Sequence, residues 1–113
     1  MAITNVITNT SRVFKDVIVK NYTDMNLNNL HFSYEGKDRP VLKINDLPKR
    51  QQLRKSLLLD YLTEPTNLML IYTINEEERK VVACEKLSHD DLRTLTLTIL
   101  NDENGLKVDS SVD

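Results

Sequence analysis

Two apolar runs separated by a short charged loop occupy the middle of this 113-residue chain. The runs cover residues 68–74 and 81–87, and the loop between them contains consecutive glutamates. This arrangement is typical of an antiparallel β-hairpin. Apolar side chains stand at successive positions in both runs, so both faces of each strand need burial. We therefore expect the hairpin at 67–87 to form the middle of a sheet.

Segments on both sides of the hairpin also predict short strands. Residues 13–20 are rich in β-branched side chains, whose stiffness at χ1 favours a strand. Apolar and polar residues alternate at 27–34 and most clearly at 94–100, as they do in strands with one buried face. A turn at Asn104–Gly105, a pair suited to positive φ at both positions, would lead into a last short strand at 106–108.

The segment 48–62 fits two different structures. Leu53, Leu57 and Tyr61 stand at helical spacing, and nothing inside the segment breaks a helix. In a strand, Leu53, Leu57 and Leu59 would share one face. We favour the strand because the flanking segments are all β, and short strands at this spacing are typical of a sandwich. A helix here would instead give an α+β fold, with the helix packed on an antiparallel sheet.

Seven or eight short strands predict an all-β protein, a two-sheet antiparallel sandwich of immunoglobulin-like architecture. The chain has one Cys and no Trp, so the cysteine and tryptophan signature of true immunoglobulin domains is absent. We expect a loose arm or an edge strand at 1–11, a single domain at 12–109 and a frayed tail at 110–113. A chain of this length forms a core without disulfides or metals.

The same sequence indicates a cytoplasmic protein. No apolar run approaches the ~20 residues of a membrane-spanning helix. The first residues do not show the basic head, apolar block and cleavage site of a secretory signal. Cys84 is the single cysteine, so it cannot form an internal disulfide, which fits a reducing compartment.

Few residues could support catalysis or bind a cofactor. Cys84 with His31 or His89 is the only combination that suggests nucleophilic chemistry, and we expect Cys84 to be a small buried structural residue instead. Asp90 and Asp91 follow His89 directly, and successive side chains do not converge on a metal. The chain has two glycines and no glycine-rich phosphate loop. We therefore expect neither enzymatic activity nor a cofactor or metal.

Basic residues cluster between positions 37 and 55. Such a block is most often a solvated face, and it has no aromatic residue that could stack on bases, so a solvated face is our preferred interpretation over a nucleic-acid site. A small binding protein for an anionic ligand or nucleic acid is our alternative hypothesis for function. The residues concerned are Lys37, Arg39, Lys43, Lys49, Arg50, Arg54 and Lys55.

The second face of the 67–87 hairpin is our preferred functional surface. If the core takes the other positions, Met69, Ile71, Val82 and Cys84 remain on a face that should be polar in a sandwich. Either another part of the chain covers this face, or a partner does. We predict a non-catalytic interaction or assembly module that uses this face or a sheet edge, with another protein or a second copy as its partner.

Overall fold

The computed structural model describes residues 13–59 and 62–113, and all regular secondary structure in these ranges is β. Four strands form sheet A in the order β4-β1-β7-β8, and four form sheet B in the order β3-β2-β5-β6. Neighbouring strands are antiparallel except β1 and β7, which are parallel. The strands are β1 Phe14–Asn21, β2 Leu27–Tyr34, β3 Pro40–Leu47, β4 Gln52–Leu58, β5 Thr66–Ile74, β6 Glu77–Leu87, β7 Leu95–Asp102 and β8 Gly105–Val112.

The predicted two-sheet sandwich is confirmed, whereas its immunoglobulin-like character is not. In an immunoglobulin constant domain the first, second, fourth and fifth strands share one sheet. Here β1 and β4 belong to sheet A, and β2 and β5 belong to sheet B. The chain therefore builds a sandwich with a different strand order.

Within the segment 48–62, residues 52–58 form strand β4, and the alternative α+β fold with a helix there is wrong for the described residues. β4 pairs with β1 from Gln52 to Leu58 in an unbroken antiparallel register. This pairing buries Leu57 completely, and the next residue on the same face, Leu59, is also fully buried. Burial against the second sheet outweighs the helix propensity of the segment, which is a weak preference.

The core lies between the two sheets and is filled by alternate residues of the inner strands. Each of its central side chains is at most 1% exposed. Those from sheet A are Val17, Val19, Leu95, Leu97 and Ile99, and those from sheet B are Leu30, Phe32, Leu68 and Leu70. The hairpin predicted at 67–87 is β5 and β6, and β5 lies inside sheet B as expected.

The end of the chain is more ordered than we predicted. Residues 110–112 belong to β8, where Val112 pairs with Leu95, and the Asp113 amide donates to the Thr94 carbonyl at 3.0 Å. The predicted frayed tail at 110–113 is therefore wrong. The arm predicted at 1–11 lies outside the described residues.

Turn geometry also differs from the expectation. Positive φ occurs at Asn75 (52°) and Glu76 (66°), which connect β5 to β6, and not at Asn104 or Gly105. Gly105 instead begins β8, where a Cβ atom would lie 2.5 Å from the Tyr72 hydroxyl oxygen. Close approach of this side chain therefore explains the glycine.

Two tyrosine hydroxyls of sheet B reach the edge strands of sheet A. Tyr34 donates to the Leu58 carbonyl of β4 at 2.8 Å, and Tyr72 accepts from the Leu106 amide of β8 at 3.0 Å. Burial raises the pKa of Tyr34 to about 12, so this hydroxyl remains a donor at neutral pH. Each bond satisfies a backbone group that faces away from the sheet A ladder.

Candidate functional site

The outer face of sheet B carries two adjacent rows of side chains that cross its strands. In one row Ser33 pairs with Met69, and Met69 pairs with Val82. In the next row His31 pairs with Ile71. The neighbouring residues of these strands belong to the core, so these five side chains share the opposite face. We call these five residues the sheet B patch.

The sheet B patch is partly buried and is flanked by charge. Met69, Ile71 and Val82 are each partly exposed. Lys43 pairs with His31 on one side and Lys80 pairs with Ile71 on the other, and both lysines are exposed. The patch is therefore apolar at its centre and cationic at its two lateral margins.

The outer face of sheet A mixes polar and apolar side chains, since Phe14, which is 52% exposed, and Ile18 lie on the face opposite the buried Val17 and Val19. Thr96 and Thr98 of β7 occupy its centre, beside the ion pair in which Arg54 lies 3.0 Å from the Asp16 carboxylate. Threonine and charged side chains are the usual covering of a solvent-facing sheet. On sheet B, by contrast, three apolar side chains adjoin one another, because Met69 pairs with Val82 and Ile71 is the next outward-facing residue of β5.

A β-bulge removes Cys84 from the surface on which we predicted it. Val82 pairs with Met69, but Cys84 pairs with Leu68, so Ala83 is the extra residue in β6. The bulge shifts the alternation by one position. Cys84 therefore packs against the core, and its assignment to the outer face with Val82 is corrected.

Cys84 lines a cleft of about 250 Å³ between β6 and β8 that sequence reasoning missed. Lys15 also lines it, and its side chain is completely buried, with Nζ donating to the Asp91 carbonyl at 2.7 Å. Burial raises the pKa of the Cys84 thiol, although a hydrogen bond with Ser110 and the charge of Lys15 oppose this. A thiol of raised pKa is a poor nucleophile at neutral pH.

The sequence does contain a signal for Lys15. It precedes Val17 and Val19 by two and four positions, so strand alternation places all three on the inner face of β1. The β-branched residues at 13–20 identify the strand, but they do not by themselves draw attention to Lys15. A buried ammonium requires hydrogen bonds and a counter-charge, and the turn after β6 supplies both.

Asp91 is the counter-charge. Its carboxylate lies 3.6 Å from Lys15 Nζ and accepts two hydrogen bonds from the Arg93 guanidinium, at 3.0 and 2.7 Å. The Arg93 hydrogen bonds, with a smaller contribution from Lys15, hold the pKa of Asp91 well below its usual range. This cluster fixes the β6–β7 connection onto β1.

The candidate catalytic residues do not come together. Cys84 packs against the core, whereas His31 lies on the outer face of the same sheet. His89 is exposed and lies 3.2 Å from Asp90, its neighbour in the chain. Within residues 13–59 and 62–113, His, Cys, Asp and Glu side chains form no group of three that could hold a metal.

The predicted basic residues lie along one side of the sandwich. Lys37 and Arg39 precede β3, and Lys49 and Arg50 follow it. The length of this eight-residue strand separates the two pairs by about 24 Å, at ~3.4 Å per residue. This distance is several times the ~8 Å screening length of charges at physiological salt. Lys43, Arg54 and Lys55 lie on the strands between them. The block therefore does not form one compact cationic site.

A larger cleft of about 510 Å³ lies beside the β2–β3 turn. Lys37 and Arg39 line it, together with three acidic residues, Glu35, Asp38 and Glu64. Acidic side chains outnumber basic ones, so this cleft does not favour an anion.

Comparisons with known proteins support the fold. No family model matches the chain, and no curated protein matches it. A solved structure is similar, the NMR structure of a protein from Eubacterium rectale, with 17% sequence identity and a TM-score of 0.58 over 89% of this chain and 91% of that chain. At this identity the likeness concerns the fold alone. In the described part of the chain, no helix has the length and apolarity needed to cross a membrane.

Proposed function

We propose that this protein is a non-catalytic interaction module that binds another protein through the sheet B patch. The observation that carries the proposal is the placement of Met69, Ile71 and Val82 at adjoining positions on an outer face. The equivalent face of sheet A carries threonines on β7, and its apolar Phe14 and Ile18 are separated by Asp16 on β1. The single, partly buried Cys84 suits the cytoplasm as the site of action.

The patch has the anatomy of a small interface. Protein interfaces combine an apolar centre with a polar rim, and here Lys43 and Lys80 provide the rim. A flat face of four strands ~4.8 Å apart and eight residues long covers about 500 Å². Stable complexes bury about 800 Å² on each partner. We therefore expect reversible binding of a partner with an acidic rim around an apolar contact.

Methionine oxidation tests this proposal while the partner is still unidentified. Met69 lies in the sheet B patch, and Met25, which is 38% exposed, lies in the β1–β2 turn away from it. Dilute peroxide is applied to the purified chain and to cells that produce it, and the sulfoxide at each methionine is quantified by mass spectrometry. We expect Met69 to be oxidised several-fold more slowly in cells, with little change at Met25.

Two variants make the test specific. Ile71→Lys should remove the protection of Met69, whereas Thr98→Lys on the outer face of sheet A should preserve it. Thermal melting verifies that both variants fold. If Ile71→Lys does not fold, Ile71→Thr replaces it. Equal oxidation of Met69 in cells and in dilute solution would overturn the proposal.

Binding of an anionic ligand is the weaker hypothesis. It relies on basic residues such as Lys37 and Lys49, which lie at opposite ends of β3. Only an extended polyanion could contact Lys37 and Arg39 at one end of the strand and Lys49 and Arg50 at the other at the same time.

A further inference from the structure

Among residues 13–59 and 62–113, no strand pairs with the outer side of β4 or of β8, so sheet A has two regular open edges. The edges of sheet B are protected in the usual ways: β3 begins at Pro40 and has a register shift, and β6 has the bulge at Ala83. The ladders of β4 with β1 and of β8 with β7 run without any shift. An open, regular edge can accept a further strand.

The unpaired backbone groups of β8 can be identified from its ladder. The Asp113 amide donates to Thr94, and alternate residues of an antiparallel strand point their N–H and C=O groups the same way. The groups of Val108, Ser110 and Val112 therefore point away from β7. Leu106 points the same way, but its amide already donates to Tyr72. Ser110 and Val112 are exposed, so the edge is accessible there.

A second copy of this strand fits the open groups. With a two-fold axis at Ser110, Val108 stands opposite Val112 of the second copy, and each outward-facing amide meets a carbonyl. Lys107 then stands opposite Asp113 of the second copy, and Asp109 stands opposite a serine. Val112, an exposed apolar residue at 36% exposure, gains an apolar neighbour. The strand is complementary to itself in this register.

The other open edge does not have this property. On β4 the Leu59 amide donates to the Val13 carbonyl and the Gln51 carbonyl accepts from Asn21, so the backbone groups of these alternate residues face β1. The groups of Gln52, Arg54 and Ser56 therefore point away from β1. A two-fold axis at Arg54 would place this residue directly against Arg54 of the second copy, and an axis at Gln52 would place it against Arg50. An axis at Ser56 would place it against Leu58, whose carbonyl already accepts from Tyr34. Opposed like charges destabilise a strand pair.

We propose that two copies of this protein associate through their β8 strands, antiparallel about Ser110, so that sheet A continues from one copy into the other. This interface does not involve the sheet B patch, so a dimer would still present two patches to other proteins. It does not rest on the function proposed above.

Proline substitution on the two edges tests the interface. Ser110→Pro removes an outward-facing amide of β8 while the ladder with β7 is retained, because proline is tolerated on an edge strand whose N–H faces solvent. Ser56→Pro makes the same change on β4 and is the matched control. Sedimentation equilibrium of the full chain from about 10 μM to 1 mM covers the range of weak association. We expect Ser110→Pro to raise the dimer dissociation constant at least about tenfold, and Ser56→Pro to leave it unchanged.

Charge reversal provides a second test that does not alter the backbone. Lys107→Glu should weaken the dimer about fivefold by opposing Asp113 of the second copy, and Lys107→Glu with Asp113→Lys should restore it. A wild-type chain that stays monomeric at 1 mM would overturn the proposal. A dimer that survives Ser110→Pro but is lost in Ile71→Lys would also overturn it, and would assign self-association to the sheet B patch.

Discussion

Replacing Gly105 with alanine should destabilise the fold through a single atom, the Tyr72 hydroxyl oxygen. The alanine Cβ would lie 2.5 Å from that oxygen, about 1 Å inside ordinary contact distance, and the oxygen is held by the Leu106 amide. Overpacking of this kind destabilises a protein by about 2 kcal/mol. The next atoms that the Cβ would meet are the flexible end of Arg79 at 3.3 Å and the Tyr72 ring carbon at 3.5 Å.

Tyr72→Phe isolates the contribution of the hydroxyl. Alone, it leaves the buried Leu106 amide without its acceptor and should lower the free energy of unfolding by about 2 kcal/mol. In that background the clash is gone, and Gly105→Ala should be neutral or stabilising by about 0.5 kcal/mol, since alanine has less freedom in the unfolded chain. The double variant should therefore resemble Tyr72→Phe.

Urea unfolding followed by circular dichroism measures each of these free energies. Tyr34→Phe is the control, because it removes the other sheet-bridging hydroxyl, which is bonded to Leu58 and not to β8. Gly105→Ala should keep its full effect in the Tyr34→Phe background. If the effects of Gly105→Ala and Tyr72→Phe add to about 4 kcal/mol, the explanation of this glycine by close approach is refuted.

The β5–β6 turn, the Lys15–Asp91 ion pair and the basic side of the sandwich each give a further prediction. Glu76→Gly should stabilise the protein by about 0.5–1 kcal/mol in urea unfolding, because Glu76 has a φ of 66° that glycine adopts without strain; no gain would contradict the assigned turn. Asp91 has a lowered pKa in the folded chain, so its stabilising contribution is complete above about pH 4 and declines as the pH falls further. Asp91→Asn should therefore show a smaller loss of thermal stability between pH 5 and pH 3 than the wild type, and equal losses would exclude a role for this carboxylate. If the basic side binds polyanions, retention on heparin should fall steeply with salt and should decrease in Lys49→Ala with Arg50→Ala; no retention at low salt would end that hypothesis.

Strand identity follows largely from local sequence in this protein. The threonine and leucine alternation before Ile99 predicts β7 because side chains of a strand point alternately to its two faces, and the structure buries Leu95, Leu97 and Ile99 completely. Local sequence is less decisive at 48–62, where leucine spacing fits both a helix and a strand. The neighbouring β segments correctly favour β4.

The candidate surfaces depend on details that alternation alone does not contain. Met69 and Ile71 follow the simple pattern, but the bulge at Ala83 turns Cys84 toward the core. This extra residue reverses the faces of the side chains that follow it, until a second register shift between Thr66 and Leu68 restores the original alternation at Leu87. No residue type in β6 marks either position. The outer-face prediction therefore keeps Met69, Ile71 and Val82 and loses Cys84.

Local side-chain order is enough to favour an all-β chain, to locate most of its strands and to identify its apolar hairpin, because these features depend on neighbouring residues. The pairing of strands into sheets, the burial of Lys15 against Asp91 and the open edge of β8 in the described structure follow only from the tertiary fold. Each of these brings together residues far apart in the chain. Such contacts depend on the packing of the two sheets as a whole, which local periodicity does not specify.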